Sequence, residues 1–267
     1  MRLPLYQVDA FTGTVFKGNP AAVMPLEEWL KDEVMQAIAA ENNLAETAFF
    51  LPAGEASFEL RWFTPTVEVP LCGHATLATG FILMTEIDPE LGDVSFETRS
   101  GTLSVARSGD LFALDFPAAR LRPARAPDAL VEALGARPAV AMQESNWLLV
   151  FETEAEVAAL EPDFRALVVA LGSRPKGVIC TAPAADGRAD IVSRYFAPAH
   201  GIDEDAVTGS AHCMLVPYWA GRLGKSDIHA LQISRRGGEL FCRDRRDRVE
   251  IAGRAVKYME AIAHVPV

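Results

Sequence analysis

The chain has 267 residues, half of them hydrophobic, and a formal net charge of −11. That charge argues against a nucleic-acid partner, which needs concentrated Lys and Arg; Arg243, Arg245, Arg246 and Arg248 alternate with Asp244 and Asp247 as in a solvated hairpin. There is no low-complexity tract, signal-peptide core or apolar run of membrane-spanning length, and the cysteines and histidines lack disulfide or metal-ligand spacing, so a folded cytoplasmic protein with no metal and no membrane partner is expected.

Leu3 to Phe11 reads as an opening strand, followed by the turn-forming Thr12-Gly13-Thr14 and Lys17-Gly18-Asn19-Pro20. Leu26, Trp29, Leu30, Val34 and Ile38 recur at helical spacing, with Glu27 and Glu28 near the favourable amino-terminal end. Thr47 to Leu51 and Phe58 to Phe63 read as strands. From His74 to Met84 the chain is apolar around its whole circumference, which predicts an enclosed helix. Strands are expected at Val94 to Phe96, Gly101 to Ala106 and Leu111 to Phe116, and the Pro- and Ala-rich stretch from Pro117 to Pro127 marks a domain boundary. Beyond it come a strand at Trp147 to Phe151, a helix near Glu154 to Leu160, and strands at Gly177 to Thr181 and Asp190 to Phe196. A second enclosed helix spans Ala211 to Ala220, kinked by Pro217, before closing strands from Leu231 to about Val265.

Two of these stretches repeat one another. Arg61-Trp-Phe-Thr-Pro65 leads through an acidic segment to Cys72-Gly-His-Ala75, and Arg194-Tyr-Phe-Ala-Pro198 leads likewise to Thr208-Gly-Ser-Ala211. Two structurally similar halves are expected, 1–118 (completed by a carboxy-terminal strand, 258–267) and 119–257, each with many strands and one buried helix. That is an α+β protein in which each half is a curved sheet or barrel around a central helix.

Gly73 and Gly209 each open an enclosed helix, where unpaired amides and the macrodipole favour carboxylates or phosphates. Thr208 and Ser210 would add hydroxyls to such a site, or simply cap the helix. His74 either handles a proton or is a satisfied helix-start histidine. Asp203, Glu204 and Asp205 precede the second glycine, and spacing barely separates the last two as ligand-facing acids. Strand alternation sets Glu46 on one face with Leu44, Ala48 and Phe50, where desolvation would raise its pKa toward that of a useful base; the alternative is that it precedes the strand and faces water. Asn19 is a turn former or a ligand contact, with the turn as default.

The string Val8-Asp-Ala-Phe, Gly18-Asn-Pro-Ala-Ala-Val23, Asn43-Leu-Ala-Glu-Thr-Ala-Phe49, Arg61-Trp-Phe-Thr-Pro65, Leu71-Cys-Gly-His-Ala-Thr76, Arg194-Tyr-Phe-Ala-Pro198 and Gly201 to His212 resembles the phenazine-biosynthesis PhzF-like family. The resemblance implies a diaminopimelate-epimerase-like fold with an active site in the cleft between two pseudo-symmetric halves, and a homodimer. It implies an isomerase related to those acting on trans-2,3-dihydro-3-hydroxyanthranilate, moving a proton within a small carboxylate-bearing substrate without metal or organic cofactor. The family's acid/base glutamate corresponds to Glu46, and its substrate-contacting histidine, aspartate and serine to His74, Asp205 and Ser210. The usual Asp-Pro of the second loop is Asp205-Ala206 here, which implies a looser loop.

Related epimerases use two cysteines, one from each half. Here Cys72 holds the first position and Thr208 the second, so two-thiol epimerisation is disfavoured. Two alternatives stand beside the isomerase: a racemase or epimerase using Cys72 with another base, and a non-catalytic metabolite-binding module.

Overall fold

The structure is a computed structural model that describes residues 1–172 and 177–265; of the expected segment 258–267, positions 266–267 lie outside these. The first elements are β1 (Arg2–Ala10), β2 (Asn19–Pro25), α1 (Asp32–Asn42), β3 (Glu46–Gly54), β4 (Ser57–Phe63), β5 (Glu68–Val69) and α2 (Gly73–Ile82), which ends in a single π-helical turn, Leu83–Ile87. Next come β6 (Asp93–Thr98), β7 (Gly101–Ser108), β8 (Leu111–Pro117), β9 (Arg122–Pro123), α3 (Asp128–Leu134), β10 (Val140–Gln143) and β11 (Trp147–Val150). The remainder is α4 (Glu154–Ala158), α5 (Phe164–Leu171), β12 (Val178–Pro183), β13 (Ile191–Ala197), β14 (Ile202–Asp205), α6 (Gly209–Leu223), β15 (Asp227–Gln232), β16 (Gly238–Asp244), β17 (Arg248–Gly253) and β18 (Ala255–His264). Among the described residues no helix is long and apolar enough to cross a membrane.

The chain divides into two compact units, Met1–Asp115 with Ala252–Val267, and Phe116–Ile251. Their strand connections are the same. In the first unit β1 runs antiparallel to β2, β2 parallel to β3, and β3 antiparallel to β4; β4 then pairs antiparallel with β5 and parallel with β6, which continues to β7. In the second, β10, β11, β12, β13, β14, β15 and β16 follow that pattern step for step. One buried helix occupies the same place in each scheme, α2 between β5 and β6, and α6 between β14 and β15.

The repeated arginines have repeated partners. Arg61 donates from Nε and Nη2 to the two carboxylate oxygens of Glu68 at 2.8 and 2.9 Å. Arg194 donates in the same fork to Glu204 at 2.7 and 2.9 Å. The acidic segment of each copy thus supplies the planar acceptor that a guanidinium fits best. Glu204 is thereby engaged by Arg194, leaving Asp205 as the acid that turns toward the second glycine loop.

Each unit carries more helix than one buried segment. Thr47, Ala48, Phe49 and Phe50 of β3 are all buried, so both faces of this strand need cover. Met35, Ile38 and Ala39 of α1 pack on Leu3, Leu5, Met24, Phe49 and Phe63, while α2 packs against β1, β2, β3 and β7. In the second unit Leu130 and Leu134 of α3 and Leu167 and Leu171 of α5 cover Leu149, Val178 and Phe196. The signals for α5 are local: Asp163 caps it by accepting from the amides of Arg165 and Ala166, both at 3.0 Å.

Helix α1 starts at Asp32, not near Leu26. The amide of Leu26 donates to Phe50 O at 2.9 Å, extending the β2–β3 ladder, and Trp29 Nε1 donates to Glu59 at 2.7 Å with Arg61 over its ring. These tertiary contacts override the helical spacing of 26–30. Pro217 does lie within α6, which continues to Leu223. Proline cannot donate to the carbonyl of Cys213, and Ala119 N–H takes that acceptor at 2.9 Å.

Candidate active site

In the first unit the starts of β2, β3 and α2 converge. Asn19 opens β2, beside Ala10 in the ladder, and Glu46 opens β3 opposite Ala21. Cys72 is the N-cap of α2, in extended backbone, and makes no side-chain capping bond, which places Gly73 and His74 in its first turn. The turn before β2 belongs to Gly18 rather than Asn19: at φ +63°, a Cβ on Gly18 would lie 2.2 Å from Ala10 O. Asn19 is thereby free to face inward, and it is fully buried. Leu44 precedes the strand, so of the residues expected on the face of Glu46 only Ala48 and Phe50 share β3 with it.

His74 is the hub. Its Nδ1 lies 3.3 Å from Asn19 Nδ2 and 3.5 Å from Cys72 Sγ, and its Nε2 lies 3.2 Å from Glu46 Oε2. Burial pushes its pKa down to about 4, with the Pro20 carbonyl pulling the other way. The ring is therefore neutral at physiological pH, and its approach to Glu46 is that of a neutral imidazole to a carboxyl, not a charged pair. The two ring nitrogens thus meet different groups, Nδ1 the Asn19 amide and the Cys72 thiol, and Nε2 the Glu46 carboxyl, the last a close approach outside hydrogen-bond geometry. Glu46 retains 13% side-chain exposure and His74 8%. A carboxyl at this depth touches a ligand that enters but is shielded from bulk water.

Glu46, Cys72 and His74 also offer an oxygen, a sulfur and a nitrogen within 4.8 Å of one another, a donor set that zinc accepts. Cys72 addresses Nδ1 and Glu46 addresses Nε2, however. An ion beside either nitrogen would engage two of the three donors unless the third moved, so the arrangement suits proton handling better than a fixed metal.

In the second unit Thr208, the counterpart of Cys72, is the N-cap of α6 and likewise makes no side-chain capping bond. Its hydroxyl donates to Asp205 Oδ2 at 2.5 Å. Gly209 follows, buried, and Ser210, the counterpart of His74, stands exposed in the first turn. Capping is thus not the role of Thr208. The next equivalence holds too: Thr76 Oγ1 donates to Cys72 O at 2.5 Å, and His212 Nδ1 donates to Thr208 O at 2.9 Å. Tyr195, opposite Asp205 across β13–β14, is pushed up to about 12 by burial and then by the charge of Asp205.

Side chains from beyond α6 hold the loop that contains Ala206. Ser234 Oγ donates to Ala206 O at 2.7 Å, and buried Gln232 makes three bonds to Asp205 and Thr208. The sequence reading missed Gln232. A lone polar residue at a strand end carries no motif, and its partners lie more than twenty residues upstream.

Comparison with known proteins agrees with the resemblance. A protein described as an uncharacterised isomerase of Pseudomonas aeruginosa is 49% identical over 268 residues, covering 99% of this chain and all of that one. The crystal structure of a PhzF-family phenazine biosynthesis protein from Enterococcus faecalis superposes with a TM-score of 0.95 at 43% identity, over 99% of this chain and 100% of that chain. A protein described as a predicted epimerase from Pseudomonas aeruginosa, at 21% identity and a TM-score of 0.72 over 99% and 100% of the two chains, shares the fold. With the family model for phenazine biosynthesis-like proteins matching residues 8–261, the chain belongs to that family.

Proposed function

We propose that this protein is an isomerase that shifts a proton on a small carboxylate-bearing metabolite, with Glu46 as the proton carrier and no metal or organic cofactor. The observation that carries the reading is the buried pairing of Glu46 with a neutral His74 at 3.2 Å. Beside a neutral imidazole, Glu46 is spared the countercharge that would quench its basicity. It can take a proton from carbon and return it at another carbon of the same substrate. In the first unit the first-turn amides at Gly73 suit the carboxylate and the negative charge that builds as the carbon loses its proton, and in the second unit Gly209 opens an equivalent helix start. Asn19 and His74 are the substrate-orienting residues of the first unit, and Asp205, Thr208 and Ser210 those of the second. The names of relatives, an isomerase and a PhzF-family protein, support the same class of chemistry. A homodimer is the assembly that goes with this reading, and its mass in solution checks it.

A panel of small aromatic and amino carboxylates incubated with the protein in deuterium oxide tests the proposal. Deuterium should enter a carbon position of the turned-over compound, accompanied by a shifted double bond. A compound that binds and never exchanges across the panel would favour a binding module. A second reading rests on Cys72: its thiol is 3.5 Å from His74 Nδ1, an arrangement that can activate a sulfur nucleophile or base for racemisation. It predicts inversion at one carbon with no shifted double bond, and it lacks a partner thiol at Thr208.

A further inference from the structure

Gln232 is 1% exposed at the end of β15, and among the described residues its side-chain hydrogen bonds all go to one loop. Its Oε1 accepts from Thr208 N–H at 2.8 Å; its Nε2 donates to the Asp205 carbonyl at 2.9 Å and to Thr208 Oγ1 at 3.3 Å. A hydroxyl has a single hydrogen. With a lone pair of Thr208 Oγ1 occupied by the Gln232 amide, that hydrogen is directed to Asp205 Oδ2 at 2.5 Å.

We propose that Gln232 is a positioning residue for the reaction: it sets the polarity of the Thr208–Asp205 hydrogen bond, holding Asp205 as an ionised acceptor and keeping the Thr208 hydroxyl off the first amides of α6. The consequence for reaction rests on the reading above, in which Asp205 and the start of α6 meet the substrate. An amide suits this task because it accepts and donates at once. It satisfies the Thr208 N–H with one end and aims the hydroxyl with the other, which a carboxylate or an apolar side chain cannot do.

Three titratable groups of the neighbouring elements already have bonds of their own. Tyr195 faces Asp205 from β13 and stays protonated. Glu204, next on β14, is committed to Arg194, and His212 of α6 is bonded to the Thr208 carbonyl. A glutamate at 232 would reverse the polarity, since its ionised carboxylate would draw the Thr208 hydrogen to itself.

The test follows the Asp205 carboxyl carbon by NMR across pH, assigned with Asp205→Asn, in wild type, Gln232→Met and Gln232→Glu. Gln232→Met should raise the Asp205 midpoint by about one pH unit, because a fixed donor to the charged form is lost. Gln232→Glu, the isosteric variant, should raise it further and serves alone if Gln232→Met does not fold. Turnover of a substrate found in the exchange panel should fall on the order of tenfold or more, as expected when a contact group is misplaced. An Asp205 midpoint unchanged in both folded variants, or in Gln232→Glu alone where Gln232→Met does not fold, overturns the inference. Full turnover by Asp205→Asn instead sinks the substrate-contact role of Asp205, and does so without touching the carboxyl measurement.

Discussion

His74 Nε2 stands 3.2 Å from Glu46 Oε2, at the meeting point of a helix start and a strand start. The pairing is a consequence of where α2 begins. Cys72 is in extended backbone and Gly73 is the first helical residue, so His74 leaves the first turn toward the opening of β3. Glu46→Gln keeps the shape of the pair and removes the exchangeable carboxyl. Proton exchange should fall about a hundred- to ten-thousand-fold, the usual cost of losing a positioned general base. Deuterium incorporation measures it, and a rate within a few-fold of wild type would exclude Glu46 as the carrier.

Cys72→Ser should retain most of the turnover. Cys72 is buried against His74 Nδ1, which a serine hydroxyl can also reach as a donor, and Thr208 stands where a second thiol would be needed. Steady-state kinetics of the folded variant settle the point. Complete loss would promote the Cys72-based racemase.

Gly80 lets α2 lie close against β7. A Cβ there would sit 2.7 Å from Val105 Cγ1 and 2.8 Å from Val105 Cβ, too close to both. Gly80→Ala should cost roughly 1–3 kcal/mol, the range for overpacking a filled core. Val105→Ala in the same chain should return part of that loss. Urea unfolding of the two single variants and the double variant reads the coupling, and simple additivity would mean that the contact does not limit packing.

How much of this was legible beforehand differs by residue. Gly73, Gly209 and the paired Arg61 and Arg194 stood out because a duplicated unit writes its turns and ion pairs twice, and each lies within a dozen residues of its partner. The choice between Glu204 and Asp205 was closed to spacing because adjacent strand residues point to opposite sides, and only the position of Arg194 shows which side is taken. Leu26 to Leu30 read as helix because their period was right, while the bond from Leu26 N–H to Phe50 O lies outside any local window. Gln232 was invisible for the same reason: what it does is defined by a loop that precedes it by a whole helix.

The two buried histidines should make stability fall with pH. Burial pushes both His74 and His212 down to about 4 from an ordinary 6.5, partly offset by the carbonyls of Pro20 and Thr208 respectively. The folded pKa lies below the unfolded one, so the full contribution is present above about pH 6.5. Between there and pH 4 the unfolded chain binds protons that the folded chain does not, and stability declines. The shift corresponds to roughly 3 kcal/mol per histidine at most, fully lost below pH 4. His212→Thr copies Thr76, which makes the equivalent bond to the N-cap carbonyl in the first unit. Unfolding free energies of wild type and His212→Thr at pH 7 and pH 5 should converge at the lower pH, whatever the carboxylates contribute to both. Equal losses in the two proteins would show that His212 takes up its proton without unfolding.

Negative charge should decide which small ligands bind. The net charge of −11 opposes the approach of any anion, so attraction for a carboxylate has to come from local dipoles. Gly73 and Gly209 each begin a buried helix, and neither Cys72 nor Thr208 turns a side chain back to cap it. In α6 the Ala211 amide donates to Thr208 O at 3.2 Å; the amides of Gly73 and His74 in the first unit, and of Gly209 and Ser210 in the second, receive no bond from their N-cap side chain, and the macrodipole favours negative charge at each start. Small carboxylates, sulfate and phosphate should raise the melting temperature and compete with substrate, whereas the corresponding amides and esters should do neither. Gly209→Val should weaken this binding by blocking close approach to the backbone. Calorimetric titration of matched acids and amides decides the matter: equal affinity for the charged and neutral members of each pair would remove the helix starts from the binding site.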